Sequence, residues 1–121
     1  MHRILADNNK NRLYLILSGN VDHRESLNML DKVIKELENL RPGFDVISNL
    51  STYTPISMSV DINVSSLLKT IKEHGVGKAV RIIDRSKFVV NSEMNFLDKY
   101  AGIGNFETVM TLTEAEEILG N

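Results

Sequence analysis

Two short apolar runs open the chain, from Arg3 to Ala6 and from Leu13 to Leu17, with the polar stretch DNNKN between them. An Asn-rich turn between two such runs reads as a hairpin connection, so the first two strands are expected to be antiparallel. Ser18 and Gly19 end the second run. From His23 the period changes: Leu27, Leu30, Ile34 and Leu37 recur at three and four, and Met29, Val33 and Leu40 widen the stripe. That spacing gathers side chains on one face of a helix. Asp22, with Glu25 three residues on, supplies a carboxylate for a free N–H of the first turn. Arg41, Pro42 and Gly43 stop the helix, because proline cannot continue the ladder and glycine accepts the left-handed turn.

FDVISNL, residues 44 to 50, suits a buried strand and runs into the hydroxyl-rich segment NLSTYTPISMS, residues 49 to 59. A second helix has Val60, Val64, Leu67, Leu68 and Ile71 on one face and ends near His74, Gly75 and Gly77. Met58, Val60 and Ile62 alternate with Ser59 and Asp61, a pattern that fits a late helix start or an exposed apolar loop. Ala79 to Ile83 reads as the next strand, since β-branched residues dominate a run that glycines precede and charges close. A third helix is expected over Ser92 to Ala101, with Met94, Leu97 and Ala101 at helical spacing and Gly102 as its stop. FETVM, residues 106 to 110, is a short last strand. Thr111 and Glu114 then have capping-box spacing ahead of a final helix that turns Ala115, Ile118 and Leu119 inward.

The order β-β-α-β-α-β-α-β-α predicts an α/β fold: a mixed sheet of about five strands, the first two antiparallel and the later ones parallel, with about four helices. The hydroxyl segment falls after the third strand and before its helix, the end of an open α/β sheet where sites usually form.

Length and charge narrow the function classes. The 121 residues match a single domain, 1–121, without internal repeat or linker. A formal charge of -2 provides no broad basic field for nucleic acid. There is no cysteine, which removes disulfides, thiolate metal sites and cysteine nucleophiles and suits a reducing compartment. The apolar runs in the first nineteen residues are too short for a signal-peptide core or a membrane span, so the expected location is cytoplasmic.

His2, His23 and His74 share no metal-ligand spacing and read as surface or capping residues. No dinucleotide fingerprint, phosphate-cradling glycine loop or Ser-His-Asp arrangement appears, so neither an enzyme nor a cofactor is expected. Asp84 follows the KAVRII strand and is placed to reach the same sheet edge as the hydroxyl segment, although a polar strand end accounts for it equally. Ser57 and Ser59 stand at a helix start, where a serine oxygen caps first-turn N–H groups. The same position would hold a phosphoryl group or another anion on free N–H groups and the helix dipole. Phe88, Val89, Val90 and Phe96 form an apolar cluster outside the fourth strand, either packed under a loop or exposed as an interaction surface.

Four pieces of the chain together resemble a STAS domain, the fold of bacterial anti-sigma-factor antagonists and of the cytoplasmic ends of sulfate transporters. LSGNVD, residues 17 to 22, is similar to that family's strand-Gly-x-x-Asp entry into its first helix. SNLSTYTPIS resembles its Asp-Leu-Ser strand end and loop, KAVRIID its next core strand, and AGIGNFETVMTLTEAEEIL its Gly-turn, strand and closing helix. The chain also looks like small STAS-like bacterial proteins related to lipid-carrier folds.

The resemblance implies a non-enzymatic domain that binds a protein partner, or a second copy of itself, through the loop and helix after the third strand. In phospho-regulated members that loop carries an Asp-Ser pair followed by Gly. Ser57 falls on the phosphorylated serine, yet Ile56 replaces the Asp and no glycine follows. The expected surface comprises Thr52, Thr54, Ser57, Met58 and Ile62 with Phe88 and Phe96, and the candidate phosphoacceptors are Ser57 and Ser59. The alternative is a carrier of a small apolar or anionic ligand held between Thr52 to Met58 and Phe88 to Phe96.

Overall fold

The computed structural model describes residues 1–54, 58–84 and 107–120, without the side chains of 54 and 58–62. In chain order it contains β1 (His2–Asp7), β2 (Arg12–Asn20), α1 (His23–Leu37), β3 (Phe44–Thr54), α2 (Met58–Glu73), β4 (Val76–Ile82), β5 (Glu107–Val109) and α3 (Leu112–Leu119). The strands lie in the order β1-β2-β3-β4-β5. β1 pairs antiparallel with β2, and every later pair is parallel. The mixed sheet is therefore as expected, with three helices among the described residues. The helix expected over Ser92 to Ala101 lies outside them.

Each strand separates its side chains by the two-residue period, and the sheet is covered on both faces. On the inner face, Ile4, Leu13, Leu15, Leu17, Phe44 and Val46 pack with Met29, Val33 and Leu37 of α1 and Val64, Leu67, Leu68 and Ile71 of α2. On the outer face, Ile47, Val80, Ile82 and Val109 meet Ala115, Ile118 and Leu119 of α3, as the inward set of the last helix predicted.

In α1 the apolar stripe is narrower than its spacing suggests. Ser26, Met29, Val33 and Leu37 are buried, whereas Leu27 and Ile34 are each 44 % exposed. Six apolar residues spread over more of the helix circumference than one sheet can cover, and the line through 29, 33 and 37 takes the contact. α2 begins at Met58, two residues before Val60, so the apolar alternation at its start is helical. Both capping readings hold: Glu25 N–H donates to Asp22 Oδ1 at 2.8 Å, and Glu114 N–H to Thr111 Oγ1 at 3.2 Å. The hairpin turn also serves the next connection. Asn11 accepts from the Arg41 N–H at 2.8 Å and donates to the Arg41 carbonyl at 3.2 Å.

The free edge of β1 is tied to α1 by Glu36, which accepts the Ala6 N–H at 3.2 Å. A paired edge group cannot template a further strand. At the start of the strands, Arg12 stands in register with Asp7 of β1 and Asp45 of β3. Arg12 is 2 % exposed, its Nε and Nη1 have no hydrogen-bond partner, and Asp45 Oδ2 lies 4.0 Å from Nη2. A buried guanidinium with one carboxylate at 4.0 Å is poorly satisfied in hydrogen bonds, so it fixes strand register at a cost in stability.

Between Asn49 and Thr52 the β2–β3 register slips. Ile16 pairs with Asn49 and Ser18 with Thr52, so three steps along β3 match two along β2. Asn49 Oδ1 holds this bulge by accepting the Ser51 N–H at 3.2 Å and the Ser51 hydroxyl at 2.8 Å. An extra residue reverses the alternation beyond it. Leu50 faces the inner core, and so does Tyr53 three residues later, while Thr52 is exposed.

Two outcomes follow for chemical denaturation. Asn49→Ala should destabilise by about 1 kcal/mol, the usual net worth of such hydrogen bonds, with a change in the Tyr53 near-ultraviolet signal in the native state. Asp45→Ala should cost about 3 kcal/mol by leaving the Arg12 charge uncompensated, whereas Arg12→Met should be neutral or stabilising by up to roughly 2 kcal/mol.

Candidate functional site

The carboxyl ends of β2 and β3 lie side by side, with Ser18 opposite Thr52, Gly19 opposite Tyr53 and Asn20 opposite Thr54. Thr52 and Thr54 are therefore strand residues, not loop residues. β-Branched and aromatic side chains favour extended backbone, and that preference carries β3 four residues past FDVISNL. Two helices start at this end of the sheet. α1 follows β2 after Val21 and Asp22, and α2 follows β3 from Met58.

Thr52 is exposed at the end of β3, Thr54 closes that strand, and Met58, Ser59 and Ile62 belong to the first turns of α2. Ser57, Phe88 and Phe96 lie outside the described residues, as does the ligand pocket drawn between Thr52 to Met58 and Phe88 to Phe96. Asp84 is exposed just beyond β4.

Polar residues that the sequence reading set aside also meet here. Ser26 Oγ donates to the His23 carbonyl at 2.6 Å and accepts from Asn63 Nδ2 at 2.7 Å, and the same amide nitrogen lies 3.3 Å from His23 Nδ1. This network joins the first turn of α1 to α2. The signal in the sequence was Ser26 itself, a small polar residue on the buried line with Met29 and Val33.

His2 is not a surface histidine. It is half-buried, and its Nδ1 lies 2.7 Å from Glu25 Oε2, which also receives the Met1 amino group at 3.2 Å. Burial raises the Glu25 pKa, but hydrogen bonds from His2 and the amino group outweigh it and hold the carboxyl below its ordinary value. The His74 ring reaches the Thr70 carbonyl at 2.8 Å near the end of α2, as a helix-end histidine should.

Beneath the helices, three polar side chains occupy inward positions. Ser48 and Arg81 are register partners on β3 and β4, 4 % and 0 % exposed, and Tyr53 is 2 % exposed. Burial pushes the Arg81 guanidinium down to about 10. Ser48 Oγ has no hydrogen-bond partner and borders a cavity of about 20 Å³ whose other walls are Leu15, Leu17, Met29, Leu50, Val64, Leu67 and Leu68. That is room for about one water, and one hydroxyl among seven aliphatic chains is too few polar partners to hold it. The period-two alignment of Val46, Ser48 and Leu50 was the available sign that Ser48 faces inward.

At the far side of the same sheet end, Met110 and Leu112 flank the Thr111 cap and are 48 % and 46 % exposed. Leu112 shares the i, i+3, i+7 spacing of Ala115 and Leu119 but is the first residue of α3, and Met110 lies outside the helix, so the exposure of neither was legible from helical spacing. Among the described residues no group of three or more His, Asp or Glu side chains is placed to hold a metal ion. No helix among them is long and apolar enough to cross a membrane. What this end offers is hydroxyl and amide hydrogen bonding, two helix starts and scattered exposed apolar side chains.

No family model and no curated protein matches the sequence. Solved structures do resemble it over its whole length. The Bacillus cell fate determinant SpoIIAA in its phosphorylated form superposes with a TM-score of 0.66 at 14% identity, covering 98% of this chain and 99% of that one. The anti-sigma factor antagonist SpoIIAA in its unphosphorylated form gives a TM-score of 0.61 at 10% identity, with 100% of both chains covered. Identities this low speak for the arrangement of strands and helices rather than for individual side chains. The chain has the STAS-like fold of SpoIIAA.

Proposed function

We propose that this chain is a non-enzymatic regulatory domain that binds another protein through the end of β3 and the start of α2. The observation that carries the reading is the whole-chain likeness to SpoIIAA, an anti-sigma factor antagonist solved both with and without its phosphoryl group. Placement supports it. Thr52 is exposed where β3 ends, and α2 begins immediately after Ser57 in sequence.

In this reading Thr52, Thr54, Met58 and Ile62 contribute to the contact surface together with Phe88 and Phe96. Ser57, or Ser59 two residues on, accepts a phosphoryl group. At a helix start such a group gains from unpaired N–H groups and the helix dipole, and it replaces a neutral contact with roughly two negative charges. A partner that packs apolar side chains against this end would then be repelled or released. The protein works in the cytoplasm.

Two measurements test this. Protein purified from its own cells, read at intact mass and then by peptide mapping, should carry one phosphoryl group on Ser57 or Ser59 in a fraction of the molecules; a chain unmodified at both under all growth conditions would remove the phosphoacceptor role. In denaturant, Ser57→Ala should lose about 0.5 to 2 kcal/mol if the hydroxyl caps α2, while Ser57→Asp, also a good cap, should stay near the parent stability. A stable Ser57→Asp chain that still recovers the same partner from cells as the parent would contradict a switch at this residue.

A further inference from the structure

The hydrogen bonds between α1 and α2 have a fixed direction, and one member of the network can change it. Ser26 Oγ lies 2.6 Å from the His23 carbonyl, which can only accept, so the Ser26 proton is committed to that carbonyl. The Ser26 oxygen must then accept from Asn63, and the 2.7 Å contact is made by Asn63 Nδ2. The second proton of that amide faces His23 Nδ1 at 3.3 Å. For that contact to be a hydrogen bond, Nδ1 must be the bare nitrogen, with the ring proton on Nε2.

We propose that Asn63, Ser26 and His23 form a proton-sensitive relay between α1 and α2, in which the charge on His23 sets the orientation of the Asn63 amide. When His23 takes a proton from solvent, Nδ1 becomes a donor and meets the Nδ2–H groups head-on. Turning the amide over replaces that clash with Nδ1–H donating to Oδ1. The same turn brings Oδ1 to Ser26, which at 1 % exposure is shielded from bulk solvent. Ser26 therefore transfers its hydrogen bond from the His23 carbonyl to Asn63. Three residues rearrange together for one proton, with no covalent bond made or broken.

Among the described residues, the charges around the ring are few. On α1, Asp22 and Arg24 flank His23 with opposite sign, Asp22 being occupied by the Glu25 N–H and Glu25 by His2. On α2, the described charged side chains begin at Lys69, six residues or roughly 9 Å along the helix from Asn63. Among the described residues of α2, the neutral Asn63 amide is the group in contact with the ring. The relay sits at the sheet end where β3 stops and α2 starts, so proton uptake alters that seam without any phosphoryl group.

Side-chain NMR of the intact chain tests this without a partner. In a pH titration followed on ¹⁵N-labelled protein, the Asn63 side-chain amide signals should move with the same midpoint as the His23 ring. Above that midpoint the ring should be the Nε2–H tautomer in an excess about fivefold greater than in the unfolded chain, the factor that one net hydrogen bond supplies. In His23→Gln, an exposed substitution, the Asn63 signals should no longer move over that range. An Nδ1–H tautomer at high pH, or Asn63 signals that stay still while His23 titrates, would overturn the relay. Neither result bears on whether Ser57 is phosphorylated.

Discussion

Three residues of β3 pass two of β2 between Asn49 and Thr52, and the side chains at the carboxyl end of the sheet depend on that mismatch. A regular strand would continue inward from Leu50 to Thr52, placing a hydroxyl in the core and Tyr53 in solvent. The extra residue reverses this, so that a large aromatic side chain closes the inner core and Thr52 is exposed beside Ser18. The short hydrogen bonds from Ser51 to Asn49 Oδ1 maintain the reversal locally. The surface from which α2 departs is thereby set by a few polar atoms rather than by the apolar layer alone.

The layers themselves were readable because they follow simple periods. Leu13, Leu15 and Leu17 alternate, Val64, Leu67, Leu68 and Ile71 repeat at helical spacing, and DNNKN and RPG punctuate between elements. Those signals are local, and the structure keeps them. Other features arise from partners distant in sequence. That Leu27 and Ile34 stay exposed depends on how much of α1 one sheet can cover. That Thr52 to Thr54 form strand depends on Ser18 to Asn20 pairing alongside them. The meeting of His23 with Asn63, forty residues apart, had no pattern to announce it. The order of elements and the place of the hydroxyl segment were legible in the residue pattern and agree with the STAS-like resemblance, while the pairing of Ser48 with Arg81 became visible only once β3 and β4 were in register.

Several polar groups in this fold are retained at a cost. Arg12 is buried with two unpaired nitrogens, Ser48 keeps a hydroxyl without a partner beside a small void, and Arg81 is fully enclosed. Apolar replacements of similar volume would serve simple stability as well or better at such positions. Arg12 and Asp45 mark register at the start of the strands, away from the site. Ser48 and Arg81 lie beneath α1 and α2, between the rigid sheet and the helices that border the proposed surface.

The proposed interaction surface stands or falls on whether a protein partner contacts the end of β3. The direct measurement is site-specific photocrosslinking in the protein's own cells, with the photoreactive residue placed either at Thr52, exposed at the end of β3, or at Lys78, exposed near the start of β4. The account predicts a discrete crosslinked polypeptide from position 52 that is absent from position 78. A product from position 78 alone, or the same product from both, would contradict it.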